Sequence, residues 1–327
     1  MAQRRRIARA LPITLAATAA AAIALLVVRE AGRPAQGTSD PAFRYSLGAL
    51  TRPPTELPRL PLVQEIALDL DEPRGLAAAA DGRLAVCGDR SLLLLDASGS
   101  EERRYTFEGE PTCVAFGDEG LLYVGLTDHL EVLDPGDGSR RLWPGLGDQA
   151  IVTSVAEHAG TVYAADAGNR MVLRFDSRGM LTGQLTDDFL VPSPYFDVAT
   201  APDGSPWVVN PGHHRLQHYT ADGKPLSSWG RASLDIDGFG GCCNPTHIAL
   251  LPDGSFVTSE KGIPRVKLYG PDGALRALVA APRDFGEYEA GLDLAVSADG
   301  LILLLVPGER AIRMYRPLVQ GRRAGRE

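Results

Sequence analysis

Two adjacent thiols and an imidazole fall together in Gly240-Gly241-Cys242-Cys243-Asn244-Pro245-Thr246-His247. Oxidised, neighbouring cysteines close a vicinal disulfide, a strained small ring that presents a rigid contact surface, or they pair with other thiols. Reduced, they could hold a soft metal with His247, although two adjacent sulfurs and one imidazole match no standard zinc spacing. A purely structural role is the third reading. The remaining chemistry-bearing residues are more scattered. His213, His214 and His218 share one hairpin and read as loop histidines. Asp235-Ile236-Asp237-Gly238 starts like a calcium loop but lacks the third acidic position and the distal Glu. No phosphate-binding loop of Walker type and no Gly-x-Ser-x-Gly nucleophile turn occurs. The residues name no cofactor.

Charge narrows the partners. Six Arg and one Glu lie in residues 1–34, and four Arg and one Glu in residues 316–327. The residues between them carry a net charge of −16, against −8 for the whole chain. A core so acidic repels phosphate backbones, so nucleic acid is not an expected partner. The tail at 318–327 reads as a basic, solvated end.

The elements that must position these residues begin with an apolar segment. Arg4, Arg5, Arg6 and Arg9 form a basic region within 1–10, before the uncharged residues 11–28. Eighteen residues rise about 27 Å as a helix, enough to cross a bilayer. The arginine excess before the segment orients the rest of the chain to the outer, periplasmic or extracellular, side. The segment reads as an uncleaved transmembrane anchor. Cleavage after Ala22-Ile23-Ala24 is the competing reading and would release a secreted protein. Residues 29–59 read as a linker broken by Pro34, Pro41, Pro53, Pro54 and Pro58.

From residue 73 onward a pattern recurs: a short apolar run, a glycine turn, a second apolar run ending in a polar residue, and a third run. The turn glycines are Gly82, Gly120, Gly160, Gly204, Gly254 and Gly300, spaced 38, 40, 44, 50 and 46 residues apart. That is the length of one four-stranded blade, so six copies predict an all-β, six-bladed β-propeller over residues 60–317. The last copy stops after three strands, while Leu62-Val63-Gln64-Glu65-Ile66-Ala67-Leu68 precedes the first copy without a partner. That run is expected to become the outer strand of the sixth blade and close the ring. Cys87 ends a second strand and Cys113 starts the next blade's first strand, which leaves a structural disulfide and two buried thiols both open.

The run Ala165-Asp166-Ala167-Gly168-Asn169-Arg170-Met171-Val172-Leu173-Arg174-Phe175-Asp176-Ser177-Arg178-Gly179 resembles the NHL-repeat family. It has that family's acidic residue, Gly-Asn, basic residue, strand, then Asp/Gly turn. Val209-Asn210-Pro211-Gly212-His213-His214-Arg215-Leu216-Gln217 is a looser match. Trp229-Gly230, Gly238-Phe239 and Asn244-Pro245 resemble the glycine-rich link between its blades. The resemblance implies that first strands begin, and second strands end, at one face of the ring. Asp89, Asp166, Asn210 and Glu260 would come after second strands there, with Arg74, Phe196, Asp197 and His247 at first strands. It also implies a binding platform for a protein or small-molecule partner at that face, around Cys242-Cys243 and His247. The alternative is a metal-dependent lyase or lactonase-like hydrolase, which would need three or more of Asp89, Asp166, Asn210, His247 and Glu260 to converge.

Overall fold

The computed structural model describes residues 57–286 and 291–318. The segments expected at 1–10 and 11–28, most of the 29–59 linker and nearly all of the 318–327 tail lie outside them. Among the described residues no helix is long and apolar enough to cross a membrane.

The described chain is built from strands and a few single turns of 3-10 helix. Strand β1 (Leu62–Ala67) precedes the first full blade. Blade 1 is β2 (Pro73–Ala78), β3 (Leu84–Gly88), β4 (Ser91–Leu95) and β5 (Glu101–Thr106). Blade 2 is β6 (Cys113–Phe116), β7 (Leu122–Gly125), β8 (Leu130–Leu133) and β9 (Arg140–Leu142). Blade 3 is β10 (Val152–His158), β11 (Thr161–Asp166), β12 (Met171–Asp176) and β13 (Leu181–Leu185). Blade 4 is β14 (Val198–Thr200), β15 (Pro206–Asn210), β16 (Arg215–Tyr219) and β17 (Pro225–Trp229). Blade 5 is β18 (His247–Leu250), β19 (Phe256–Glu260), β20 (Arg265–Tyr269) and β21 (Leu275–Ala280). Blade 6 is β22 (Leu294–Val296), β23 (Ile302–Val306), β24 (Ala311–Tyr315) and, at its outer edge, β1.

The strand expected to close the ring therefore does so. β1 runs antiparallel to β24, with Glu65 opposite Arg313 and Ile66 opposite Ile312. Closure by an N-terminal strand ties two segments distant in sequence and leaves the ring without an open seam.

Each blade is a short antiparallel sheet whose first hairpin turns at one of the six glycines. All six sit at φ between 77° and 90°, the left-handed region that Gly enters without steric cost. The core is not one mass but six wedges, each packed between neighbouring blades. The wedge between blades 6 and 1, for example, joins Ile66, Leu303 and Ile312 to Leu76, Val86 and Leu93. The second strands β3 and β7 and the third strand β4 are buried and mostly apolar because each lies between two such wedges. Outer strands β5 and β9 are exposed and charged, carrying Glu101, Glu102, Arg103, Arg104, Arg140 and Arg141, which discourages edge-to-edge pairing. The outer strand β21 is instead covered by Pro58–Leu60, whose backbone bonds Leu278 from both sides.

Candidate functional site

The four residues expected after second strands do sit there, and each is tied to its own blade. The carboxylate of Asp89 accepts a hydrogen bond from the Asp71 backbone N–H at 2.8 Å. Asp166 accepts from the Ile151 N–H at 2.9 Å and from the Asn169 backbone and side chain. Asn210 accepts from the Leu190 N–H at 3.0 Å and donates to Gln217 Oε1 and the Asp188 carbonyl. Glu260 accepts from the Gly240 N–H at 3.0 Å. In all four blades the acceptor grips the segment that runs into that blade's innermost strand. The repeat's polar position is thus a staple for the incoming chain, satisfying backbone donors that have no strand partner.

Glu260 does more than the others. Its carboxylate also pairs with Arg265 at 2.7 Å and Lys267 at 2.8 Å, and all three side chains are buried. Lys267 in turn donates to the Gly238 and Ile236 carbonyls and lies 4.5 Å from the Phe239 ring centre. Burial pushes its ammonium down to about 8. This network holds the loop from Gly230 to Thr246, which carries the cysteine pair.

Of the residues expected at the channel, Arg74, Asp197 and His247 line it; Asp89, Asp166, Asn210 and Glu260 do not. Phe196 is buried between blades 3 and 4. The innermost strands enclose a cavity of about 240 Å³ along the axis. Three carboxyl residues line it, Asp197, Asp293 and Glu157. Asp197 accepts from Val198 N–H and, across the blade boundary, from Ile248 N–H at 2.7 Å. Asp293 does the same with Leu294 and Leu76 N–H groups. Burial raises Asp197 to about 6. Burial, with the nearby Asp197 charge, raises Asp293 to about 8. Threonine hydroxyls add further cross-blade bonds, Thr112 to the Val152 carbonyl and Thr153 to the Phe196 carbonyl.

Above the cavity the mouth widens to about 470 Å³, lined by Arg74, Thr112, Ile151, Tyr195, His247 and three prolines among others. Enclosure by protein lowers His247 to about 4, so its imidazole is neutral at neutral pH. Tyr195 meets it edge-on, with ring centres 5.8 Å apart. Among the described residues no three His, Cys, Asp or Glu side chains form a set that could hold a metal ion.

The cysteine pair stands beside this mouth. The structure holds Cys242 and Cys243 as free thiols, not as the vicinal disulfide open to them from sequence, with their sulfurs 2.9 Å apart. Cys242 is exposed and Cys243 is buried. Ser193 Oγ donates to Cys243 Sγ at 3.4 Å, and Lys261 Nζ donates to Ser193 Oγ at 2.6 Å. Lys261 also lies 4.6 Å from the Tyr195 ring centre. The segment Ser193-Pro194-Tyr195 therefore joins the thiols to the mouth. Asn244 anchors the loop, donating to the Gly240 and Lys261 carbonyls and accepting from the Lys261 N–H.

The chain matches no family model and no curated protein. Solved structures give its architecture counterparts. It is similar to a chain of a mitotic checkpoint complex, at 13% identity and TM-score 0.60, covering 81% of this chain and 94% of that one. It is also similar to a streptogramin B lyase, at 13% identity and TM-score 0.55, covering 77% and 97%. A third match is virginiamycin B lyase from Staphylococcus aureus, at 10% identity and TM-score 0.57, covering 78% and 99%. At these identities the likeness is one of propeller fold alone.

Several site residues carry little or no mark in the sequence. Asp293 occupies in Leu292-Asp293-Leu294 the repeat position of Asp197 in Phe196-Asp197-Val198, and only an alignment of the copies exposes it. Tyr195, Ser193 and Lys261 carry no local signal, because their role comes from loops of blades 4 and 5 meeting in space. Cys87 and Cys113 are both buried free thiols; burial pushes Cys113 up to about 12 and Cys87 well up also. His218 stacks on Trp207, with ring centres 4.4 Å apart, and contacts Ser205, so it belongs to the blade rather than to a histidine cluster.

Proposed function

We propose that this propeller is a ligand-binding platform whose ligand enters the mouth ringed by Arg74, Tyr195 and His247. One observation carries the reading. The polar residues at second-strand ends are committed to holding their own blades, while the mouth keeps an open, mixed surface of about 470 Å³. An aromatic wall, three prolines, a guanidinium and a neutral imidazole suit a small amphipathic ligand with one hydrogen-bonding end. The NHL-like run at 165–179 supports a platform of that repeat type. The arginine-flanked apolar stretch at 11–28 supports holding it on the outer side of a membrane.

A second reading, a lyase or lactonase-like hydrolase, draws on the neutral His247 imidazole near the Asp197 and Asp293 carboxyls, and on two structural neighbours being lyases. Binding and turnover separate the two. A panel of amphipathic small molecules is screened against the full chain by thermal shift, and binders are quantified by calorimetry with and without divalent cations. The platform reading expects Tyr195→Ala and Arg74→Ala each to weaken binding about tenfold, roughly 1.4 kcal/mol, with the ligand recovered unchanged. Recovery of a cleaved or rearranged molecule would replace it with the enzyme reading. Affinities untouched by both substitutions would remove the mouth as the site.

A further inference from the structure

We propose that Cys242 and Cys243 form a redox-active dithiol that exchanges with low-molecular-weight disulfides, with Cys242 as the attacking thiol and Cys243 as the resolving one. The inference does not depend on what binds the mouth.

The two sulfurs differ in the way such a division of labour needs. Cys242 is exposed and meets an incoming disulfide first. Cys243 is 2% exposed and closed to it. Yet Cys243 has three donors around its sulfur: the Cys242 thiol at 2.9 Å, the Ser193 hydroxyl at 3.4 Å and the Lys261 ammonium, itself 2.6 Å from Ser193 Oγ. Burial alone pushes the Cys243 thiol up, but these three donors outweigh it and hold the group below its ordinary value. The hydrogen bond between the two thiols holds Cys242 above its own. The other two cysteines show the contrast. At Cys87 and Cys113 burial is the leading effect, and both are pushed up.

In the first step Cys242 loses its proton to solvent, and its thiolate attacks one sulfur of an external disulfide. A bond forms from Cys242 Sγ to that sulfur, the external S–S bond breaks, and one thiolate leaves. Cys243 then gives its proton to solvent, and its thiolate attacks Cys242 Sγ, forming the Cys242–Cys243 bond and expelling the second external thiolate. The pair is oxidised by two electrons, the external disulfide is reduced to two thiols, and the protons pass to the leaving groups. Closure also consumes the Cys243 thiol beside Lys261, whose ammonium borders Tyr195 at the mouth.

The test uses the full chain and glutathione disulfide as the probe, with acid quenching, alkylation, and peptide mass spectrometry over time. The wild type is expected to end with an internal Cys242–Cys243 disulfide and no retained glutathione, with Cys87 and Cys113 alkylated only after denaturation. Cys243→Ser is expected to stop at a stable mixed disulfide on Cys242. Lys261→Gln is expected to slow ring closure about tenfold and the first step much less, since Lys261 acts on both sulfurs but more on Cys243, so that the mixed disulfide accumulates transiently. The proposal is overturned if the wild type itself stops at the mixed disulfide, if both thiols stay free, or if Lys261→Gln slows attack and closure alike. The wild-type result decides even if a variant fails to fold.

Discussion

Asp197 and Asp293 show how a single side chain can be both a structural bolt and a titrating group. Each carboxyl bridges two blades by accepting backbone N–H bonds on both sides of a boundary, and each is withdrawn from water. Burial favours the neutral acid more than those bonds favour the anion, so the folded values, about 6 and about 8, lie above the ordinary 3.8. The folded state therefore binds these protons more tightly than the unfolded chain. Their stabilising contribution is fully present below pH 3.8 and is lost as pH rises through 6 and then 8. Arg74, His247 and Glu157 share the channel lining, and His247, lowered from 6.5 to about 4, adds stability as pH rises between those values and so opposes the carboxyls there. Denaturant unfolding of wild type between pH 6.5 and 8 should show stability falling with pH, by up to about 1.4 kcal/mol per pH unit, as Asp293 ionises. Asp293→Asn keeps an acceptor but cannot titrate, and should flatten the fall between pH 6 and 8. An unchanged slope in that variant would falsify the assignment. The neighbouring Cys113 thiol, pushed up to about 12, stays protonated and adds no slope there.

At the scale of the element, blade packing depends on how closely two innermost strands approach. Gly75 on β2 makes such a contact between blades 1 and 2. A Cβ at that position would lie 2.8 Å from both the Cys113 Cα and the Cys87 sulfur. The first of those is backbone of the next blade and cannot turn aside. Gly75→Ala should cost about 1–3 kcal/mol by overpacking, read as a lowered midpoint of chemical denaturation. Gly145→Ala, where an added Cβ meets nothing within 4 Å, is the matched control and should be nearly neutral. The six turn glycines are visible in the sequence because a left-handed turn demands that residue type locally. Gly75 is not, because its requirement is set by a strand 38 residues away in the chain, at Cys113.

At the scale of the whole molecule, stability is shared around a ring. β1 lends Ile66 to the wedge between blades 6 and 1, Leu68 and Leu70 extend that wedge, and Leu60 joins the one between blades 5 and 6. Deleting residues 60–70 should therefore lower the melting temperature of the entire domain in one cooperative transition. A separate early melting of blade 6 with the other blades intact would contradict a ring that stands or falls together. Turn glycines at regular spacing, apolar runs of strand length and an unpaired run before the first copy were enough to determine six blades and the closing strand, because each depends on local backbone preference and on repetition. Sequence also marked Cys242-Cys243 and His247 as neighbours, since adjacency in the chain is adjacency in space. Only the tertiary structure decided which polar groups face the axis. Asp166, Asn210 and Glu260 match a ligand set in type and position, yet their side chains turn to the backbone of the chain entering their own blade. Asp293, Tyr195, Ser193 and Lys261 reach the site from separate loops and strands. A blade's length and turns are local properties; the direction of its polar side chains is set by which unpaired backbone groups the neighbouring segments bring within reach.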